Sequence, residues 1–230
     1  MISLFPLLRS LSIRSWSDVG WGRNPEFTKQ LLLGFFIAFT SALFGGLLLL
    51  DLQPKNPFGD WPWPKRLVTG AIVSLLEETL FRGVLLVALL RALKPAVAIT
   101  ALSLFFSVVH FLKPASKIAV QDINMLSGFE IIPTCFEKMA DPNFLPHFVN
   151  LAIVGAILGW ALWKTRSLAM PVGLHAAWVV ATCGRGGQTW IETLVLLATF
   201  TVVIVLTITS PTLGETTPDI RGEESPRDHP

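Results

Sequence analysis

The sequence predicts an all-α protein, a polytopic membrane bundle of about six transmembrane helices. Three observations favour this fold class. Hydrophobic residues make up 52% and charged residues 15% of the 230 residues, whereas soluble domains carry roughly 25% charged residues. Mean hydropathy is +0.59. Apolar stretches of about 20 residues, the length that a helix needs to cross a bilayer, recur along the chain.

The predicted spans are six segments, 31–50, 67–90, 95–112, 145–163, 167–183 and 190–209. The fifth is shorter and contains Pro171 and Gly173, which membrane helices tolerate where neighbours satisfy the backbone. Gly155 and Gly159 have the spacing that lets helices pack closely. We expect one membrane domain over residues 1–209. The tail, 210–230, is rich in Pro, Gly, Thr and charge, and is predicted to be disordered.

Positive residues outside the spans divide unevenly between the two sides of the membrane. Ten Lys and Arg residues fall on the side of the termini, and seven fall on the other side, namely Lys55, Lys65, Arg66, Lys113, Lys117, Lys138 and Arg185. Because positive loops favour the cytoplasm, both termini are predicted to be cytoplasmic, and we expect the plasma (inner) membrane. The lipid bilayer is therefore one expected partner. A net charge of +2 gives no indication of nucleic-acid binding.

Five ionisable residues lie inside the predicted spans. Glu77, Glu78 and Arg82 are in the second span, His110 ends the third, and His175 is in the fifth. Charged and titratable groups are costly within a membrane, so they indicate function by default. We expect all five to line one cavity within the membrane, because facing lipid would be unfavourable for each of them.

Helix geometry suggests different tasks for the two glutamates. At about 100° per residue, Glu78 and Arg82 share a helix face and can pair. Glu77 lies about 140° from Arg82 by the same geometry, so it is less well placed to be neutralised. The interpretation is that Glu78 and Arg82 form a buried ion pair that holds the site. Glu77 then remains as the reactive carboxylate and candidate general base.

Two histidines and one glutamate permit two chemistries. Glu77, His110 and His175 could hold a divalent metal such as Zn²⁺, since two His and one Glu form a known catalytic zinc set. The same residues could instead hold a water molecule directly, with Glu77 and His110 removing its proton. Either arrangement activates water and favours hydrolysis. The sequence leaves both open, so the cofactor is a divalent metal or none.

Three motifs in order resemble a known family. Residues 77–82 read Glu-Glu-Thr-Leu-Phe-Arg, residues 106–110 read Phe-Ser-Val-Val-His, and Ser-Leu at 167–168 is followed by Gly-Leu-His-Ala-Ala-Trp at 173–178. Together they resemble the CPBP intramembrane proteases, which include type II CAAX prenyl endopeptidases and bacteriocin-processing or self-immunity proteins. The resemblance covers residues 67–183. It implies a helical membrane core with a polar cavity, and cleavage of a peptide or protein substrate in or beside the bilayer.

The resemblance also implies residue roles. Glu77 would be the base, with His110 helping to activate water, and His175 would help to stabilise the oxyanion. Glu78 and Arg82 would complete the first motif. Both a metallo-endopeptidase and a metal-free glutamic mechanism are associated with the family.

One position departs from the family pattern. The third motif usually has Asn or Asp four residues after its histidine, and here that residue is Val179. Loss of one oxyanion donor costs about 10²–10³ in rate. Asn150, in the fourth span, is a candidate to supply an amide from a neighbouring helix, or it makes an ordinary interhelical hydrogen bond.

Two other functions are compatible with these residues. A catalytically weak or inactive relative would serve as a membrane scaffold or immunity protein, and Val179 favours that hypothesis. A proton-coupled transporter would also use Glu and His chains. No inverted repeat of the kind found in many transporters is visible in the sequence.

Overall fold

The computed structural model describes residues 13–48, 61–112, 144–182 and 190–210, with the single positions 129 and 136. Within these ranges the chain forms helices and no β-strand, which confirms the all-α prediction. The predicted disordered tail lies, apart from Ser210, outside the described residues. The helices are α1 (Phe27–Leu48), α2 (continuous segments Trp63–Glu77, Glu78–Leu86 and Val87–Ala92), α3 (Pro95–Phe111), α4 (Phe144–Thr165), α5 (Ala169–Thr182) and α6 (Trp190–Thr209).

A short 3₁₀ helix, Ser17–Val19, precedes α1. Each of α1 to α6 corresponds to one of the six predicted spans, with ends that differ by a few residues. By length and composition, α1, α4 and α6 are long and apolar enough to cross a membrane. The helices α3 and α5 are shorter apolar helices. The second helix carries the charged motif and has a more amphipathic sequence, with Arg66, Ser74, Glu78 and Arg82 buried in the bundle.

Helix α5 is the centre of the bundle and packs against α1, α2 and α4. The α1–α5 crossing is very close. A Cβ atom on Gly173 would lie 2.1 Å from the carbonyl oxygen of Leu31, and one on Gly34 would lie 2.5 Å from that of Met170. Pro171 does not interrupt α5, because it lies in the first turn, where a backbone N–H has no partner within the helix. The third motif is therefore fixed within the core.

Helices α3 and α4 pack through the predicted small-residue face. A Cβ atom on Gly155 would lie 2.9 Å from Cα of Ser103, and one on Gly159 would lie 3.2 Å from Cγ2 of Ile99. The spacing of the two glycines thus allows α4 to lie against α3. This contact sets the position of the second motif, which is at the carboxyl end of α3.

Arg66 belongs to the interior, although its position just before the predicted span 67–90 placed it among the charges outside the spans. It lies in the first turn of α2 and is 1% exposed. Its Nε donates to the carbonyl oxygen of Trp61 at 2.7 Å, and its Nη1 lies 3.4 Å from the carbonyl oxygen of Val180. Carbonyl groups in the last turn of a helix have no partner within the helix, so Arg66 links the start of α2 to the end of α5.

Candidate active site

The first motif coincides with a change in helix type. From Glu78 to Leu86 the second helix is π-helical over nine residues, between α-helical segments. Hydrogen bonds in a π-helix run from residue i to i+5, and such segments are frequent at functional sites. The rotation of 100° per residue, which holds for an α-helix, therefore applies only up to Glu77. The angular separation inferred between Glu77 and Arg82 was based on the wrong helix type.

Glu78 and Arg82 nevertheless form the buried pair that their spacing predicts. Nη1 of Arg82 lies 3.0 Å from Oε1 of Glu78, and the side chains are 1% and 0% exposed. The guanidinium Cζ of Arg82 also lies 4.4 Å from the ring centroid of Phe106, within the range of a cation–π interaction. The aromatic residue of the second motif thus packs on the arginine of the first.

His175 binds to the same carboxylate oxygen. Its Nδ1 lies 2.7 Å from Oε1 of Glu78. Because an ionised carboxylate only accepts hydrogen bonds, Nδ1 of His175 carries the hydrogen of this bond. The other ring nitrogen, Nε2, lies 3.9 Å from Oε2 of Glu77. Glu78 therefore fixes the orientation of His175 and directs Nε2 towards the first glutamate of the motif.

His110 is oriented by its own helix. Its Nδ1 lies 2.8 Å from the carbonyl oxygen of Phe106, which can only accept, so Nδ1 is the donor. Nε2 of His110 lies 3.7 Å from Oε2 of Glu77. The ring centroids of His110 and Phe106 are 4.2 Å apart. Helix α3, through the backbone carbonyl of Phe106, thus presents a second imidazole nitrogen to Glu77.

The result is a convergence of three acceptor atoms. In their neutral forms His110 and His175 both have a lone pair at Nε2, and Oε2 of Glu77 is buried with no hydrogen-bond partner among the described residues. The separations of 3.7 and 3.9 Å exceed the length of a direct hydrogen bond. An added proton, a water molecule that donates hydrogens, or a cation would stabilise such an arrangement.

The possible metal site has suitable donor types. Glu77, His110 and His175 supply the two nitrogens and one carboxylate of a catalytic zinc set. In the described parts of the chain, however, no group of three or more His, Cys, Asp or Glu side chains is arranged to hold a metal ion. Metal binding by these three residues stays a prediction.

A cavity of about 210 Å³ lies beside the histidines, between α1, α3, α4, α5 and α6. Six of the fifteen side chains that line it are polar: Ser41, His110, Asn150, His175, Thr182 and Glu192. Among the described residues, Glu78 and Arg82 do not contribute to the lining. The expectation that all five ionisable residues line the cavity is therefore wrong for three of them: His110 and His175 line it, Glu77 does not, and the Glu78–Arg82 pair is buried behind His175. Glu77 lies next to the cavity lining, since its Oε2 is 3.7 Å from Nε2 of His110 and 3.9 Å from Nε2 of His175.

Asn150 and Val179 both line this cavity. Asn150 is 1% exposed, and its Oδ1 accepts a hydrogen bond from Oγ1 of Thr193 at 2.5 Å. The interhelical bond foreseen for Asn150 is thus present, and the residue also lies at the cavity wall. Val179 lies one helical turn from His175 and presents an isopropyl group where the family pattern has Asn or Asp.

One carboxylate at the cavity is not among the site residues predicted from the sequence. Glu192, in the first turn of α6, is 8% exposed and lines the cavity. The rule that identified Glu77 applies equally to a glutamate at the start of a predicted span. A carboxylate near a helix N-terminus is favoured by the helix dipole, so its position also has a structural explanation.

The comparisons with known proteins agree with the motifs. No curated protein and no solved structure shows a significant match to the chain. Residues 59–181, more than half of the 230 residues, match the family described as type II CAAX prenyl endopeptidase Rce1-like. The matched range contains all three motifs and closely follows the predicted range 67–183. The resemblance inferred from the motifs is confirmed: the chain is an integral membrane protein that belongs to the type II CAAX prenyl endopeptidase Rce1-like family.

Proposed function

We propose that the chain is an intramembrane endopeptidase that hydrolyses peptide bonds in or near the bilayer with a water molecule activated by Glu77 and His110. The observation that carries the proposal is the convergence of Nε2 of His110 and Nε2 of His175 on Oε2 of Glu77, at 3.7 and 3.9 Å. Membership in a family of endopeptidases supports the reaction class.

In the proposed reaction, a water molecule donates hydrogens to Oε2 of Glu77 and Nε2 of His110. Its oxygen attacks the carbonyl carbon of the scissile bond, Glu77 takes one proton, and the carbonyl oxygen becomes an oxyanion. The proton then passes from Glu77 to the leaving nitrogen while the C–N bond breaks. The products are a carboxyl group and an amine. A general base of this kind typically contributes about 10²–10⁴-fold to the rate.

His175 is proposed to stabilise the oxyanion. When both of its ring nitrogens are protonated, Nδ1 donates to Glu78 and Nε2 donates to the oxyanion. The Glu78 carboxylate, held by Arg82, would serve as the counter-ion of this imidazolium. One preorganised donor to an oxyanion contributes about 10²–10³-fold. Glu78 and Arg82 would then act as positioning residues, and Asn150 is a candidate for a further amide donor at the cavity wall.

The proposed substrate is a membrane-associated peptide or protein. The family description refers to prenylated CAAX proteins, and for this chain we propose only the broader class. We also propose that both termini are cytoplasmic and that the protein resides in the plasma (inner) membrane. A fusion at residue 230 to a reporter that fluoresces only in the cytoplasm should be bright. A dark fusion at normal abundance would contradict the orientation.

The decisive experiment compares wild type with Glu77→Gln in proteoliposomes that contain the host's own membrane proteins. Gln keeps the shape of Glu but cannot accept a proton from water. Labelling of protein N-termini followed by mass spectrometry should show new termini with wild type and at least about 10²-fold fewer with the variant. Glu26→Gln is the matched control, because Glu26 pairs only with Lys29 among the described residues, at 2.7 Å, outside the site.

A membrane scaffold or immunity role is the second candidate. It is favoured by Val179, which presents an apolar group to the cavity where the family pattern has a polar one. A cellular phenotype that survives Glu77→Gln unchanged, together with no Glu77-dependent termini, would favour this role over the protease.

A further inference from the structure

A second depression lies on the outer surface, between α1 and α6. It has a volume of about 490 Å³, and its lining includes Ser41 and Phe44 of α1 and Leu194, Val195 and Thr199 of α6. Both helices have the length and composition of membrane spans, so the outer face of this groove meets lipid. Its rim is highly accessible, since Phe44 is 58% and Leu194 67% exposed.

The groove adjoins the cavity beside the candidate active site. Ser41 and Val195 line both of them. The two helices are in ordinary van der Waals contact at this level, because a Cβ atom on Gly45 would find its nearest neighbours, the methyl groups of Val195, at 3.7 Å. At the α1–α5 crossing, by contrast, an added Cβ atom would overlap backbone atoms. Of these two contacts of α1, the α1–α6 seam is therefore the less closely packed, and it lies where the groove adjoins the cavity.

One hydrogen bond joins the two helices at the seam. The hydroxyl oxygens of Ser41 and Thr199 are 2.5 Å apart. Thr199 also donates its only hydroxyl hydrogen to the carbonyl oxygen of Val195 at 2.8 Å. The hydrogen of the Ser41–Thr199 bond therefore belongs to Ser41. If the seam opens, Ser41 becomes a donor that faces both the groove and the cavity.

We propose that the α1–α6 seam is a lateral entrance, through which an apolar, membrane-embedded peptide segment of the substrate reaches the cavity. On entry the hydroxyl of Ser41 exchanges Thr199 for a backbone carbonyl of that segment. A peptide fits this entrance better than an acyl chain. Peptide carbonyls need hydrogen-bond donors within the membrane, whereas an acyl chain has no acceptor for the hydrogen of Ser41. The catalytic consequence rests on the proposed function, but the binding step does not.

The first test is a labelling experiment that requires no catalysis. The probe is a leucine-rich single-span peptide of about 20 residues, with a central Gly-Ser pair and a diazirine beside it. It is reconstituted with the Glu77→Gln protein. We expect photolabelling of groove residues such as Phe44 and of cavity residues such as Val179. A phospholipid with a diazirine on its acyl chain should not label the cavity. Cavity labelling by the phospholipid and not by the peptide would overturn the proposal.

The second test locks the seam with a disulfide. Ser41→Cys and Thr199→Cys are combined in a chain whose native cysteines, Cys135 and Cys183, are replaced by serine. After oxidation, peptide labelling of the cavity should fall at least about tenfold, because the open state is no longer populated. Labelling should return after reduction. Ser41→Cys alone, treated identically, is the control. Equal cavity labelling in the oxidised and reduced forms would refute a lateral entrance at this seam.

Loosening the seam should have the opposite effect. Thr199→Val removes the acceptor of Ser41 and should increase cavity labelling. Thr207→Val is the matched control, because Thr207 makes the same bond to its own helix, to the carbonyl oxygen of Val203 at 2.7 Å, but faces Trp160 of α4. An equal change in both variants would assign the effect to general destabilisation of α6. It would refute the idea that the Ser41–Thr199 hydrogen bond holds the seam closed.

Measurements of cleavage distinguish a failure of the proposed entrance from a failure of the proposed protease activity. With a substrate identified by its new N-termini, the oxidised lock should abolish cleavage and reduction should restore it. If cleavage depends on Glu77 but the lock changes neither labelling nor cleavage, the entrance is refuted and the protease stands. If no cleavage depends on Glu77, the protease is refuted and the labelling experiments still decide whether the seam admits a peptide.

Discussion

Nδ1 of His175 donates a hydrogen bond of 2.7 Å to Oε1 of Glu78, although the two residues are 97 positions apart in the chain. The same oxygen accepts from Nη1 of Arg82 at 3.0 Å. One buried carboxylate oxygen therefore neutralises the arginine of the first motif and orients the histidine of the third. This relationship distinguishes the two adjacent glutamates, because Glu77 contacts only the Nε2 side of the same imidazole.

A double substitution should separate the stabilising and positioning roles of Glu78. Glu78→Gln alone leaves Arg82 as an unpaired buried charge, so both folding stability and cleavage should fall. Glu78→Gln combined with Arg82→Gln removes both charges, and replacing a whole buried pair is often neutral or stabilising. We expect thermal stability in detergent to recover in the double variant while cleavage stays low. Recovery of both properties would refute a positioning role for the Glu78 carboxylate.

Arg82→Ala should reduce the amount of folded protein more than Glu77→Ala does. Removing one partner of a buried pair costs about 3–5 kcal/mol, because the other charge is left unpaired. The side chain of Glu77 is 30% exposed and is in no tight ion pair within the described structure. Its removal therefore leaves no buried charge without a counter-ion. Membrane abundance and detergent melting temperature measure the difference. Equal losses in the two variants would contradict this division of roles.

Val179→Asn should increase the rate of cleavage. The side chain at this position lines the cavity one turn from His175, so an amide introduced there can donate to the oxyanion. The gain should be up to about 10²-fold in kcat. Val154→Asn is the control, because Val154 lines the same cavity from α4. If both variants raise the rate equally, added polarity rather than a donor beside His175 is responsible.

The role of Asn150 can be separated from its interhelical bond. Asn150→Ala and Thr193→Val both remove the hydrogen bond between Oδ1 of Asn150 and Oγ1 of Thr193. If Asn150 also donates an amide to the substrate, only Asn150→Ala should lower kcat, by about 10²-fold. Similar melting temperatures would show that the structural loss is matched. Equal kcat values for the two variants would restrict Asn150 to helix packing.

Much of the architecture could be predicted because it depends on local chemistry. A run of about 20 apolar residues is sufficient to identify a membrane helix, whatever it packs against. The Glu78–Arg82 pair could be predicted because residues four apart are neighbours on a helix. The pair survives the change to a π-helix at Glu78, but the angle inferred for Glu77 does not, because it assumed regular α-helical geometry.

The contacts that distinguish the site residues could not be obtained in this way. The bond between His175 and Glu78, the packing of Phe106 on Arg82, and the burial of Arg66 against the end of α5 all join different helices. Each depends on the rotation and depth at which two helices meet, and close approaches such as that of Gly173 to Leu31 fix these quantities. Glu192 shows the same limit, since its sequence position marks a costly carboxylate but not the cavity that it lines.

By itself the sequence determined the helical membrane class, the family through its three motifs, and the ionisable residues that the membrane cannot leave facing lipid, because these follow from composition and short spacing. Only the tertiary structure decided which oxygen each histidine faces, that Glu78 and Arg82 lie behind the cavity, and that an outer groove adjoins it at Ser41. Those properties arise from side chains on separate helices that packing brings within a few ångströms of one another, and no local pattern encodes such distances.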